Sequence, residues 1–154
     1  MVLSTAALVV GLGTPAQAAI TQNCRSNEKS FSIPGSRDVS VTVDLCVQRD
    51  GSRYRAKAYV SWGSWAGMPS NAFDNFNVTL RLERNDATQK SQGVNLTSMI
   101  NHPSDYNHNV SWPTAWVTSS ARGGWSADGV VDYDINNDGR GGKKWDLYGS
   151  PLIT

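Results

Sequence analysis

The clearest chemical pattern in the chain lies near its end, in the segment Asp134-Ile135-Asn136-Asn137-Asp138-Gly139. Oxygen-bearing side chains alternate here as in the first half of a calcium-binding loop, where they converge on a hard cation and a glycine permits the sharp turn. Trp145 stands where an EF-hand loop has its bidentate glutamate, and no helical pattern flanks the segment. The candidate calcium ligands are therefore Asp134, Asn136 and Asp138, with Asp132 or Asp146 as a substitute ligand. The alternative is a long hairpin turn, which favours the same residue types.

Tryptophan is the second unusual feature, with six residues in the chain. Trp62 and Trp145 occupy strand-like positions and are expected in the core. The other four lie among Gly, Ser, Pro and Arg, and are candidate surface aromatics: Trp65, Trp112, Trp116 and Trp125. Exposed aromatics can stack on sugar rings or anchor a protein interface. The alternative is that they fill the open ends of a small sandwich.

The residues suited to catalysis are few. His102 and His108 flank Asp105, a set that could bind a metal or transfer protons, but no nucleophile motif or zinc-binding helix accompanies them. Glycoside hydrolysis uses two carboxylates, and the two glutamates, Glu28 and Glu83, fit the polar positions of strands. We therefore expect no catalytic residues, no required cofactor and no enzymatic activity.

Residues 1–18 have the pattern of a secretory signal peptide. The apolar run Val2–Leu12 is followed by the breaker Gly13-Thr14-Pro15 and the small residues Ala16-Gln17-Ala18. The run is shorter than the roughly 20 residues of a membrane span. No basic residue precedes it, so we expect the start codon upstream. The prediction is a secreted, extracellular protein cleaved after Ala18; a buried N-terminal helix is the alternative.

The two cysteines, Cys24 and Cys46, are expected to form a disulfide, because the extracellular space is oxidising. A reactive thiol or a metal-binding pair is the alternative. The formal net charge is only +1, so long-range attraction to nucleic acid or to anionic membranes is weak. We therefore expect neither as a partner.

Alternation of apolar and polar residues predicts strands from Ser30 onward. It is clearest in Val39–Val47, where Cys46 falls on the polar face, and in Tyr54–Trp62; Asp50-Gly51 between them predicts a hairpin. Further strands are predicted at Phe76–Glu83, ending at Asn85-Asp86, and in a final hairpin of Val130–Ile135 and Lys144–Tyr148.

Two segments are harder to interpret. Residues 87–110 give only a short strand around Val94 and Leu96, and residues 112–118 are expected to be extended at an edge because of Pro113. No helical periodicity extends over ten residues. The sequence predicts one domain over residues 19–154, an all-β fold that is an antiparallel β-sandwich or a small barrel with one disulfide.

The C-terminal stretch from Tyr133 to Gly139, continued by Trp145-Asp146-Leu147-Tyr148-Gly149-Ser150-Pro151, is similar to those of small exported actinobacterial proteins. With the leader, the single cysteine pair and the lack of a catalytic set, the chain resembles the small adaptor subunit of umbrella toxin particles. These adaptors are secreted, non-enzymatic proteins that join a lectin-bearing, trypsin-like subunit to a large spoked toxin subunit. The resemblance implies a docking arm just before Cys24, formed by Ala19, Ile20, Thr21, Gln22 and Asn23.

The leading expectation is therefore a protein-binding adaptor of an extracellular, toxin-type complex, with other secreted proteins as partners. The first alternative is a carbohydrate-binding module that stacks sugars on Trp65, Trp112 or Trp116 and is assisted by calcium near Asp134. The second is an inhibitor of extracellular proteases that presents the loop Gly63–Ser70. A small hydrolase with an unrecognised site is the third.

Overall fold

The computed structural model describes residues 19–63, 70–102 and 108–154. The predicted signal peptide, residues 1–18, lies outside these ranges. Nine strands form two antiparallel sheets, with one short helix. The elements in chain order are β1 (Thr21–Phe31), β2 (Val39–Asp50), β3 (Arg53–Trp62), β4 (Phe73–Arg84), β5 (Ala87–Asn95), α1 (Thr97–Asn101), β6 (Asn109–Pro113), β7 (Val117–Thr118), β8 (Trp125–Ile135) and β9 (Lys143–Asp146). The described residues contain no helix with the length and hydropathy of a membrane span.

Sheet A has the strand order β1-β2-β3-β6, with β7 also paired to β3, and sheet B has the order β5-β4-β8-β9. Alternate side chains of the two sheets meet in one core, as the period-two pattern predicts. The fully buried residues of β2 are Val39, Val41, Val43, Leu45 and Val47. The all-β, antiparallel prediction is confirmed, and because the two sheets are separate the fold is a sandwich rather than a closed barrel.

Both predicted hairpins are present, because β2 pairs with β3 and β8 pairs with β9. The β2–β3 loop consists of Gly51 and Ser52, one residue later than Asp50-Gly51, because Asp50 pairs with Arg53. Gly51 has a φ of 60°, and a two-residue turn with glycine first suits the twist of the strands. Asn85 and Asp86 both have positive φ and join β4 to β5.

Strand β5 was not predicted over its full length. Its residues are polar and exposed except around Val94, so it shows no apolar alternation. It is a strand because it pairs with β4, which is buried. Strand β6 lies at the edge of sheet A and ends at Pro113, which confirms the edge position predicted for this segment.

The disulfide joins Cys24 and Cys46, which lie directly opposite each other in β1 and β2. This confirms both the pairing and its place on the outer face of the sheet. Their Cα atoms are 4.0 Å apart, which fits the closer of the two kinds of antiparallel residue pair, the pair without mutual hydrogen bonds. The backbone N–H and C=O of Cys24 therefore point away from β2, toward the free edge of β1.

One side of the sandwich, where the edges of β1 and β9 face each other, is called the flank. After β9 the chain continues beside β8, and the N–H groups of Leu147, Ser150 and Ile153 donate to carbonyls of that strand. The buried Asn27 of β1 accepts a hydrogen bond from the Tyr148 N–H at 2.7 Å and donates to the Tyr148 carbonyl at 3.1 Å. These contacts join the two sheets along the half of the flank nearest the N-terminus of β1.

Candidate functional site

The other half of the flank contains an open cleft of about 570 Å³. It lies between the end of β1 with the segment after it and the loop that joins β8 to β9. Its lining residues are Lys29, Ser30, Phe31, Ser32, Pro34, Tyr133, Ile135, Asn137, Asp138, Arg140 and Lys143. Strand alternation explains this set: Tyr133 and Ile135 are inward-facing residues of β8, and Lys29 and Phe31 are inward-facing residues of β1.

Three cations and one carboxylate line the flank cleft. Lys143 forms an ion pair with Asp138 at 3.0 Å, whereas Lys29 and Arg140 form no ion pair with any carboxylate in the described ranges. The Lys29 ammonium lies 5.7, 5.4 and 5.9 Å from the ring centroids of Phe31, Tyr133 and Trp145. The cleft therefore has a surplus of positive charge, even though the whole chain is nearly neutral.

The floor of the flank cleft is aromatic and rigid. Phe31 is only 2% exposed, and edge-to-face contacts surround its ring: Phe73 at 5.3 Å, Phe76 at 5.7 Å, Tyr133 at 4.9 Å and Trp145 at 5.9 Å. Such contacts fix ring orientation. The floor therefore presents a preformed apolar surface below charged groups.

Asp138 is held by two donors at the edge of the cleft. One carboxylate oxygen accepts a hydrogen bond from the Lys143 ammonium and the other from the Arg140 backbone N–H at 2.7 Å. The hydrogen bond from Lys143 is the main cause that lowers the pKa of Asp138, and the Arg140 N–H adds to it. The carboxylate is thus stabilised in its ionised form.

The three candidate calcium ligands are not all in one place. Asp138 lines the flank cleft, whereas Asp134 faces outward from β8, opposite Asn75 of β4. The Asn136 backbone N–H donates to Ala72, and its side chain is not part of the cleft lining. Within the described residues, no group of three His, Cys, Asp or Glu side chains is arranged to hold a metal ion. The calcium site stays a prediction, and calcium there competes with Lys143 for the Asp138 carboxylate.

Two of the four candidate surface tryptophans are buried, so the expectation of exposure is wrong for them. Trp112 is 9% exposed because it faces inward from β6, and Trp125 is 1% exposed because it faces inward from β8. Their polar sequence neighbours obscured these strand positions. Trp116 is half-buried, with the guanidinium carbons of Arg53 and Arg55 at 5.1 and 4.3 Å from its ring centroid.

The two tryptophans assigned to the core are placed differently from each other. Trp62 is 4% exposed and belongs to the core, as expected. Trp145 is only partly buried at the edge of sheet B, where it packs against the core. Trp65 lies outside the described residues, as does most of the loop Gly63–Ser70 that was considered as an inhibitory loop.

The predicted docking arm is mostly strand. Thr21, Gln22 and Asn23 pair with β2 through one edge and form the start of β1, so they are part of sheet A rather than a separate segment. Ala19 and Ile20 precede the strand and are exposed. All eleven residues of β1 pair with β2, and no strand of the described ranges pairs with the opposite edge.

Two carboxylates do come together, but outside the cleft. Arg81 donates to both Glu83 and Asp128, each at 2.8 Å, on the outer face of sheet B. Burial is the main cause that raises the pKa of Asp128; Arg81 opposes it and Glu83 reinforces it. Neither carboxylate lines the flank cleft. Glu83 belongs to β4, like Arg81, whereas the ion pair of Arg81 with Asp128 joins β4 to β8.

The two histidines lie on either side of a segment, residues 103–107, that is outside the described ranges. The His102 ring lies 3.1 Å from the Ser98 carbonyl and is exposed, after the short helix α1. His108 has a φ of 57° at the start of the segment that leads into β6. Asp105, the carboxylate predicted to lie between them, is outside the described residues.

Lys29 and Arg140 are not among the candidate residues that the sequence pattern indicated. A sheet register would have been needed to find them, because Lys29 and Tyr133 are far apart in the chain and meet only across the sandwich. One feature of the sequence pointed to Lys29: it lies two residues before Phe31 and therefore on the same, inward-facing side of the strand, which is an unusual place for a cation. Comparison with family models, curated proteins and solved structures gave no match to this chain.

Proposed function

We propose that this protein is a secreted, non-catalytic binding protein that acts as an adaptor between other extracellular proteins. The observation that carries the proposal is the free edge of β1, an eleven-residue strand at the border of sheet A. A strand edge of this length is a template for pairing with an extended segment of another chain. Export is supported by the leader pattern and by the disulfide.

The disulfide makes this edge suitable for docking. Cys24 lies within β1 and is tied to β2, so the edge is held in an extended form before a partner arrives. Preorganisation of this kind lowers the entropic cost of association. The outward-facing side chains near Cys24 are polar, as in Gln22, Ser26 and Glu28. The edge is therefore compatible with an exposed, soluble state between docking events.

The experiment that tests the adaptor proposal is isolation of the native secreted protein from culture fluid, with size-exclusion chromatography followed by mass spectrometry. The expected result is co-elution with a larger secreted protein in a fixed ratio. Elution at the size of the single chain, with no protein partner, contradicts the proposal.

A pair of variants then tests the edge itself. Ser26 has the same strand phase as Cys24, so its N–H points to the free edge. Ser26→Pro removes that donor while leaving the hydrogen bonds to β2, since proline is tolerated where the N–H faces away from the sheet. Ser26→Ala keeps the donor and is the matched control. We expect S26P to lose the partner and S26A to keep it; retention by a folded S26P contradicts docking at this edge.

Among the described residues, the carbohydrate-binding alternative depends on Trp116; Trp65, another candidate, lies outside them. Trp112 and Trp125 are buried, and the Trp116 ring already has Arg55 against it. Retardation on a polysaccharide affinity gel that disappears in Trp116→Ala would favour this alternative over the adaptor. Calcium assistance would also have to be seen in the same assay.

A further inference from the structure

We propose that the flank cleft binds the carboxylate of an acidic side chain in a partner's extended polypeptide segment. This deepens the adaptor proposal and rests on it for the identity of the partner, although the site itself is argued from its own residues. The juxtaposition that carries it is Lys29 and Arg140, two cations without a described carboxylate partner, above an aromatic floor in a preformed cleft.

The cleft selects an anion because its positive charge is not balanced. Asp138 accepts hydrogen bonds from Lys143 and from the Arg140 N–H, and its charge also interacts with the Arg140 guanidinium. One carboxylate therefore faces three cations, and the cleft keeps a surplus of positive charge. The Lys29 ammonium lies against aromatic rings, at 5.4 to 5.9 Å from their centroids. These contacts hold the ammonium in place but leave it without a charged acceptor. A concave site with apolar walls strengthens the field that such cations produce.

The direction of β1 indicates that the anion belongs to a polypeptide. Lys29, Ser30 and Phe31 are the last part of β1 and also line the cleft. A segment that pairs with the free edge of β1 therefore passes the cleft at that end of the strand. In an added strand, alternate side chains face the same way, so one acidic residue can face the cleft while its neighbours remain outside.

The aromatic floor disfavours an acidic sugar as the ligand. Sugar stacking needs an accessible ring face, but Phe31 and Tyr133 are 2% and 6% exposed and pack edge to face with each other. What the floor offers is apolar contact for the methylene groups of an Asp or Glu side chain. Hydrogen bonds from ammonium and guanidinium to a carboxylate are the stronger kind of hydrogen bond, which gives the cleft its specificity.

The proposal is tested on the isolated protein with two synthetic peptides. Both are short, capped at each end and rich in β-branched residues; one carries a single Asp and the other Asn at that position. Binding is followed by the backbone amide signals of Lys29, Ser30 and Asn137 in NMR spectra. We expect saturable shifts with the Asp peptide and about tenfold weaker binding of the Asn peptide, as expected for loss of a charged hydrogen bond.

Variants separate the cleft from general charge effects. Lys29→Gln is expected to weaken binding of the Asp peptide about tenfold and to leave binding of the Asn peptide unchanged. Lys29→Arg keeps the charge and should retain most of the binding. Lys144→Gln is the matched control, because Lys144 is an exposed cation beside Lys143 that does not line the cleft. A dispersed amide spectrum confirms that each variant is folded.

Three peptide results would overturn the proposal: no saturable shift with the Asp peptide, equal binding of the two peptides, or unchanged Asp-peptide binding in K29Q. A fourth is a separate titration in which an oligogalacturonate, an acidic sugar chain, shifts these amide signals while neither peptide binds. Failure of the adaptor proposal looks different, since it is the absence of a co-eluting protein. A native complex that survives unchanged in K29Q leaves the adaptor intact and removes the cleft from its interface.

Discussion

The ring of Tyr54 lies face to face with the indole of Trp125, with centroids 4.4 Å apart and planes 6° apart. Tyr54 belongs to β3 of sheet A and Trp125 to β8 of sheet B, so this stack joins the two sheets. Arg49 lies 5.8 Å from the Tyr54 ring and Arg84 lies 5.9 Å from the Trp125 ring. Each ring of the stack thus has a guanidinium group near it. The stack lies at the end of the sandwich away from the flank cleft.

Removal of one ring from this stack should destabilise the fold strongly. We expect Trp125→Ala to lower the free energy of unfolding by about 3–5 kcal/mol, because a large buried side chain leaves a cavity. The measurement is urea unfolding followed by circular dichroism. Trp116→Ala, which removes a half-buried indole, is the control and should lower the free energy of unfolding by about 1 kcal/mol. Equal effects of the two variants would show that the stack has no special structural role.

The disulfide should stabilise the protein by restricting the unfolded chain, and in the folded protein it should hold β1 against β2. Cys24 and Cys46 are separated by 22 residues, and a loop of this size corresponds to about 3 kcal/mol in the chain-entropy model. The variant with both cysteines replaced by serine should lose about that amount of unfolding free energy. Amide hydrogen exchange should speed up most in β1, since its other edge has no described partner strand. Uniform acceleration over both sheets would contradict a local role.

The sheet body could be predicted from sequence because its signals are local. Val39–Val47 alternates apolar and polar residues, and this alternation survives in the structure as a buried inner face of β2. The cysteine pairing followed from composition and the expected compartment. β5 was mostly missed because its stability comes from the neighbouring β4 rather than from its own side chains.

The site could not be predicted because it is formed by residues distant in sequence. The Asp134–Gly139 motif directed attention to cation binding, but strand alternation sends Asp134 outward and leaves Asp138 among cations. Lys29 approaches this loop only through the pairing of β1 with β2 and the packing of one sheet on the other. Trp112 and Trp125 were misjudged for a related reason: their burial depends on strand phase, not on their polar neighbours.

The ion pair between Asp138 and Lys143 should be visible in the pH dependence of stability. The pKa of Asp138 is lowered in the folded protein, so its contribution is present above the unfolded pKa, near 3.9, and is lost as the pH falls through the lowered folded value. Lys143→Gln should raise the pKa of Asp138 toward the ordinary range. The stability difference between wild type and K143Q should therefore be constant near neutral pH and should shrink only in acid.

This pH prediction is checked by an NMR titration of the Asp138 side chain together with urea unfolding at several pH values. Lys144→Gln is again the matched control, because its partner is Asp132 at 3.6 Å and both side chains are well exposed. An unchanged Asp138 pKa in K143Q would contradict the role assigned to the Lys143 hydrogen bond.

Calcium binding at the β8–β9 loop must compete with the Lys143 ammonium. Both oxygens of Asp138 already accept hydrogen bonds. A calcium ion needs several oxygen ligands, and the positive charge of the neighbouring ammonium repels it. We therefore expect millimolar calcium to raise the melting temperature more in Lys143→Ala than in the wild type, because binding to the folded state adds stability by mass action. Asp138→Asn in the K143A background should abolish the increase. If calcium raises the melting temperature of neither K143A nor the wild type, the loop is a hairpin turn and not a calcium site.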